Sequence, residues 1–469
     1  MKKTTRTARI LGKALPLALS ILLMGGLLAG CGGENNSGAT ATSTSTTAAA
    51  TSTTADGQPP QQPGDGAAPG APPGGGSTSV DTGTGAYTLS DGETLTGDTY
   101  TSTNADENAI RAEGDATATL ENVTVEKTAG AASNNDASSF YGLNAAILAL
   151  DNATLNITGG TVTATAEGAN GVFAYDGATI NITDTTVNVS GGNAGGIEVA
   201  GGGTMHATNL TVNATVKAAI RSDRGGGTMV VDGGTYTTSG NSGAPAIYST
   251  ADITVSNATL TAKDSEALVV EGLNSITLVD CDVTGNMGGT YSKTDTANNV
   301  HNVMLYQSMS GDAEQGTSSL SMTGGTLVSK NGDMFYVTNT SSIITLSGVD
   351  LTLADGTYLL RVSGNTSERG WGTAGANGGT CEFNLKGQTI AGDILADSMS
   401  KLAMTITDGS SYTGAINADG TEAAALSVTL DSTSIWTLTA DSYVTQFDGD
   451  MANVVTNGHT LYANGTAVD

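Results

Sequence analysis

A ten-residue motif returns through the chain from about residue 86 onward, and a repeat of that length constrains the fold before any other feature does. With residues 154–163 (TLNITGGTVT) as template, copies begin at Thr117, Thr154, Thr179, Thr204, Thr228, Asp252, Ser275, Ser319, Ile343 and Glu382. Most lie 23 to 26 residues apart, and the longer intervals mark insertions at about 287–316 and 363–379. One apolar column runs Ala118, Leu155, Ile180, Met205, Met229, Ile253, Ile276, Leu320, Ile344 and Phe383, and a second stands two residues on. Period two with one apolar face is the pattern of a half-buried strand. The next column is Gly, Asn or Asp in all ten copies, from Asn122 to Gly387. These residue types tolerate positive φ, so the chain is expected to bend at the same point of every copy. A second short strand follows, and a third is read from pairs such as Gly171-Val172, Gly196-Ile197 and Ala246-Ile247.

Three strands and three bends in about 24 residues predict an all-β fold, a right-handed parallel β-helix with three sheets and about 12–13 coils. A propeller blade needs ~40 residues, and a sandwich does not repeat side chains column by column. The solenoid is assigned to residues 81–469, with a cap expected over about 425–469, where the column register fades. Cys281 and Cys381 fall three coils apart, roughly 14 Å at the strand spacing, and are expected to be buried thiols rather than a disulfide.

The N-terminal segment reads as an address. Lys2, Lys3, Arg6, Arg9 and Lys13 precede an apolar run that ends in Leu28-Ala29-Gly30-Cys31, the layout of a signal peptide over residues 1–30. Residues 31–80 hold six of the eight prolines among Ser, Thr, Ala and Gly, a composition that cannot bury a core and reads as a tether. Removal of residues 1–30 leaves 12 basic side chains against 45 acidic ones, a charge of −33. Nucleic acid is therefore excluded as a natural partner, because its binders present basic faces to the phosphates.

Catalytic constellations are harder to assemble. His206, His301 and His459 are scattered, and no Ser/His/Asp or metal-spaced Cys/His set can be built. A Thr ladder on the outer side of the second strand, including Thr161, Thr211, Thr235 and Thr259, fits ordinary β-propensity on a wet surface. The outer column of the third strand is less ordinary: Arg111, Leu148, Phe173, Glu198, Arg221, Tyr248, Val269, Tyr336 and Arg361, with Asp223 beside Arg221. Aromatic faces stack on sugar rings and Arg forks carboxylates, so Arg111, Phe173, Glu198, Arg221, Asp223, Tyr248, Tyr336 and Arg361 form the candidate ligand-binding face, expected to be exposed. The alternative is that these large residues simply cover a sheet.

The Leu28–Cys31 ending resembles the bacterial lipobox, which implies a lipid on Cys31, a membrane held through that lipid and a place on the cell surface. The coil pattern over residues 86–469 resembles secreted bacterial parallel-β-helix proteins, a group that includes adhesin-like rods, polysaccharide-binding modules and pectate-lyase-like enzymes. The resemblance carries fold more strongly than function. It implies a monomeric, non-enzymatic surface protein without a cofactor, mediating adhesion or binding to an extracellular polysaccharide or host ligand. The alternatives are a passive spacer and a polysaccharide lyase, with Arg221 as base and Glu198 and Asp223 on Ca²⁺. Two carboxylates are few for a cation that takes six to eight oxygens. The 287–316 insertion, with Tyr291, His301, Tyr306 and Met309, is a further candidate recognition loop.

Overall fold

The alternating columns become strands stacked coil upon coil. The computed structural model describes residues 80–241, 243–288, 300–365 and 370–469; residues 1–30, Cys31, most of the tether and Tyr291 lie outside these. The third strand of each coil joins a twelve-stranded sheet that starts at Thr84–Thr88 and ends at Ile394–Ala396. The first and second strands join a 22-stranded sheet, and pairings in both sheets are parallel. The fold is the expected parallel β-helix, with its three strands per coil gathered into two long sheets rather than three. In the middle coils the first two strands fuse into single twelve-residue strands, Gly203–Ala214 and Gly227–Thr238, because the ladder continues through the bend.

The bend column behaves as its residue types demand. Asn122, Asp184, Asn209, Asn257 and Asp280 have φ between 51° and 55°, and Gly159, Gly233, Gly324, Gly348 and Gly387 are also left-handed. Every equivalent residue therefore turns the chain at one height of its coil, so residues one coil apart stack in register. Thr154 pairs with Thr179, Thr179 with Thr204, and Thr204 with Thr228. Inside the stack, Leu155, Ile180, Met205, Met229 and Ile253 form one ladder of the continuous core. Cys281 and Cys381 belong to that core as free, buried thiols.

Two boundaries differ from expectation. His301–Tyr306 lies within the supposed insertion at 287–316, yet it pairs on both sides as the third strand of a regular coil. The register also persists past residue 425: Ala425–Leu430 pairs in parallel with Lys401–Thr407, and Gln446–Asp448 with Ala425–Leu430. Only the last hairpin departs, with Leu461–Ala463 antiparallel to Thr466–Ala467. Such a return strand pairs one edge of the terminal coil, which would otherwise be open to another chain.

Candidate functional site

The outer column of the third strand points away from the coil interior as expected, but it is not a surface. Phe173, Glu198 and Tyr336 are 0 % exposed, Asp223 1 %, Arg221 4 %, and Arg111 and Tyr248 7 %. Arg361 is half-buried, held by Asp333 at 2.5 Å and set over the Tyr358 ring. The candidate face of Arg111, Phe173, Glu198, Arg221, Asp223, Tyr248, Tyr336 and Arg361 is thus corrected to a covered layer. Large apolar groups left in water are unfavourable, and here the chain supplies their cover from its own loops.

One cover is the helix Asn135–Tyr141, whose Asn134 cap accepts from the Ala137 N–H at 3.0 Å and whose Gly142 ends it in the left-handed region. Asn108 ties it down by donating to the Gly142 carbonyl at 3.2 Å. Below lie Leu148, Leu150 and Phe173 in one apolar cluster. Further along the rod Tyr248, Val269, Met304, Tyr306 and Tyr336 form a second, on which Trp371 of the 363–379 insertion packs.

In the same column, between Phe173 and Tyr248, the sheet carries ions. Arg221 Nε donates to Glu198 Oε1 at 3.0 Å and its Nη2 to Asp223, with the guanidinium over the Tyr248 ring. Tyr248 and Tyr306 both donate to Glu271 Oε2, at 2.5 and 2.8 Å. From Glu271 the chain of contacts continues through Ser308 and Ser310 to Asp312, which pairs with Arg224 at 2.5 Å. Arg224 in turn lies 3.9 Å over Phe140 of the covering helix, and Lys217 donates to Ser139 of the same helix at 2.7 Å. Buried ions thus fasten the loops to the sheet.

Burial sets the charge states. It pushes the Glu198 carboxyl up to about 8, against the opposing pull of Arg221. Burial, then Arg221, pushes the Lys217 amine down to about 7. Burial alone would lower Arg221, but Asp223 and Glu198 outweigh it and hold the guanidinium firmly charged. A base must give up its proton, and Arg221 is locked as a cation between two carboxylates. Asp223 spends one oxygen on Arg221 and the other on the Arg224 N–H, and Glu198 holds Arg221 through Oε1 while buried from solvent. The lyase assignment of these three residues therefore has no accessible geometry behind it.

An open site lies elsewhere, between the two insertions. A groove of about 660 Å³ is lined by Gln307, Met309, Asn339, Thr340, Ser341 and Thr373, among others. Met309 forms its lip, 46 % exposed and at φ 68°, a conformation rare for a non-glycine residue. Asn339 ties one wall to the other by donating to the Gln307 carbonyl at 2.6 Å. Gly372 passes so close to Asn339 that a Cβ there would lie 2.1 Å from Oδ1. Tyr306, at the end of the strand His301–Tyr306, and Trp371 of the 363–379 insertion meet with ring centroids 4.3 Å apart beside the groove. The 287–316 and 363–379 insertions are thereby brought together. His301 is buried below against Tyr336, and His206 is exposed on the other sheet.

The groove lining is polar and uncharged. Gln307 lines the groove, and its Oε1 has no hydrogen-bond partner among the described residues; Asn365 Oδ1 and Asn377 Oδ1, outside the lining, are in the same state. Their amide nitrogens are occupied: Gln307 donates to Ala313, and Asn365 and Asn377 both donate to the Trp371 carbonyl. Glu198 Oε2 and Asn302 Oδ1 are unmet among the described residues in the same way, so such acceptors are not peculiar to the groove. No protein-family model, curated protein or solved structure matches this chain. Function must therefore be argued from the site. A second hollow of about 320 Å³ near the C-terminus, beside the stacked Tyr443 and Tyr462, contains no such unmet acceptor among its described lining residues.

Sequence reasoning missed the groove residues Gln307, Asn339 and Thr373. Their only signal was the pair of long intervals in the repeat. The covering helix had a stronger one, the Asn134 cap and Gly142 stop bracketing a short segment.

Proposed function

We propose that this chain is a bacterial surface lipoprotein, anchored through Cys31, whose β-helix body binds a neutral polysaccharide in the groove between its two insertions and acts in adhesion rather than catalysis. The observation that carries the reading is the groove itself, about 660 Å³ and lined by uncharged hydrogen-bonding side chains such as Gln307, Gln315, Asn339, Thr340, Ser341 and Thr373. Hydroxyl groups of a sugar both donate to and accept from such amide and hydroxyl side chains. A charge of −33 after processing weighs against an anionic glycan. Binding is preferred to turnover because the described groove lining contains no carboxylate, histidine or cysteine to move a proton or attack a bond. The tether over 31–80 supplies reach from the membrane.

A glycan array followed by calorimetry on the full chain tests the groove. Wild type is expected to bind neutral glycans, and Gln307→Leu and Thr373→Val each to weaken binding at least about tenfold, or about 1.4 kcal/mol. Binding unchanged in both variants, or confined to uronate-rich glycans, overturns the assignment. Failure to bind any glycan returns the body to the role of a spacer. Incorporation of a labelled fatty acid that is lost in Cys31→Ala tests the anchor.

A further inference from the structure

Lys127 is out of place. It closes the strand Thr124–Lys127 in an inward column whose paired members are Ser102, Ala164, Val189, Ala214, Thr238 and Ala262, all without charge. Its side chain is fully buried, and no carboxylate stands within ion-pair distance of it among the described residues. A buried ammonium without a counter-ion is costly, so its surroundings bear inspection.

Those surroundings form a closed ring. Lys127 Nζ donates to Ser102 Oγ at 3.2 Å and to the main-chain carbonyl of Asn104. Ser102 Oγ donates to Glu107 Oε2 at 2.8 Å. Asn104 Nδ2 donates to the same carboxylate, at 3.2 Å to Oε1 and 3.0 Å to Oε2. An amine, a carboxamide and a carboxylate thus share one site spanning the first two coils. Burial lowers the proton affinity of Lys127, and nearby Glu107 and Asp106 act against that. Asn104 is clamped from above by Gly130, where a Cβ would lie 2.1 Å from the Asn104 carbonyl carbon.

We propose that Lys127 and Asn104 become joined by an intramolecular amide bond, with Glu107 carrying the proton. The neutral Nζ adds to Cγ of Asn104, the residue whose main-chain carbonyl it already meets. Glu107 takes the proton released from Nζ and delivers it to the amide nitrogen. The Cγ–Nδ2 bond then breaks, so one N–H amine and one primary carboxamide become a secondary amide and ammonia, with no oxidant or co-substrate. The product removes the buried charge and fastens the first coil to the second. That end is where the tether enters and where a solenoid, whose coils hold only their neighbours, is free to unzip.

Peptide mass mapping of the purified full chain, digested with trypsin and a glutamate-specific protease, decides the matter. The expected result is no cleavage after Lys127 and a branched peptide joining the segments that carry Asn104 and Lys127, lighter than their sum by one ammonia. Lys127→Arg and Asn104→Ala abolish the branch, and Glu107→Gln abolishes or greatly slows it. A linear peptide cut after Lys127 in the wild type overturns the proposal. Loss of ammonia confined to a linear peptide around Asn104 also overturns it, since that is a succinimide. A branch that forms at full yield in Glu107→Gln overturns the role of Glu107. None of these outcomes depends on ligand binding at the groove.

Discussion

The outer column of the twelve-stranded sheet carries Phe173, Glu198, Arg221 and Tyr248 and is roofed by a helix and two insertions, whereas Thr211, Thr235, Thr259 and Asp282 on the 22-stranded sheet stand exposed. Both columns alternate with core residues in the same way, so alternation fixed only the side of the coil on which each side chain lies. What covers that side is decided by chain arriving from far away. A hydroxyl ladder can stay in water because each group finds water to bond. A ladder of aromatic and ionic groups is stable here only once loops bury it and its ions pair among themselves.

The contrast breaks first at Arg221. Arg221→Ala leaves Glu198 and Asp223 buried together without their cation, and the expected loss is about 3–5 kcal/mol in urea unfolding followed by circular dichroism. A loss below 1 kcal/mol would mean that the roof opens readily and the layer is wet. The next effect is a pH dependence. Glu198 has a folded-state pKa raised from 4.5 to about 8, so its contribution to stability is complete below 4.5 and is lost as pH rises toward 8. Glu198→Gln is therefore expected to gain on the wild type as pH climbs through that window. A stability difference that stays flat from pH 4.5 to 8 would sink the assignment. The smallest effect belongs to the bare face, where Thr235→Ala is expected to change stability by less than about 0.5 kcal/mol. A larger loss there would show that the Thr ladder is structural in its own right.

Much of the fold was legible because it is local. Asn122, Asp184 and Gly348 share one column and one backbone conformation, and the residue types announce it. Even the side on which Phe173, Tyr248 and Tyr336 lie was readable. Their burial was not, since it depends on Trp371 and on the helix Asn135–Tyr141, which no periodicity links to them. The size of these residues was nonetheless a clue, because a column rich in aromatics in an aromatic-poor chain reads as well as something to be covered as something to bind with. The groove was the least legible part. Gln307 and Thr373 sit 66 positions apart in segments that interrupt the repeat, and interruption removes the pattern from which position could have been inferred.

The left-handed bend, identical from Asn122 to Gly387, makes neighbouring coils interchangeable in outline. The rod is thereby a ruler graduated in steps of about 4.8 Å. Duplicating or deleting one coil between residues 154 and 214 would slide the groove along the axis by one graduation, because its walls, all built from residue 307 onward, and the Arg224 and Glu271 anchors of their loop lie beyond that stretch. Reach can then change by whole numbers, independently of what is grasped.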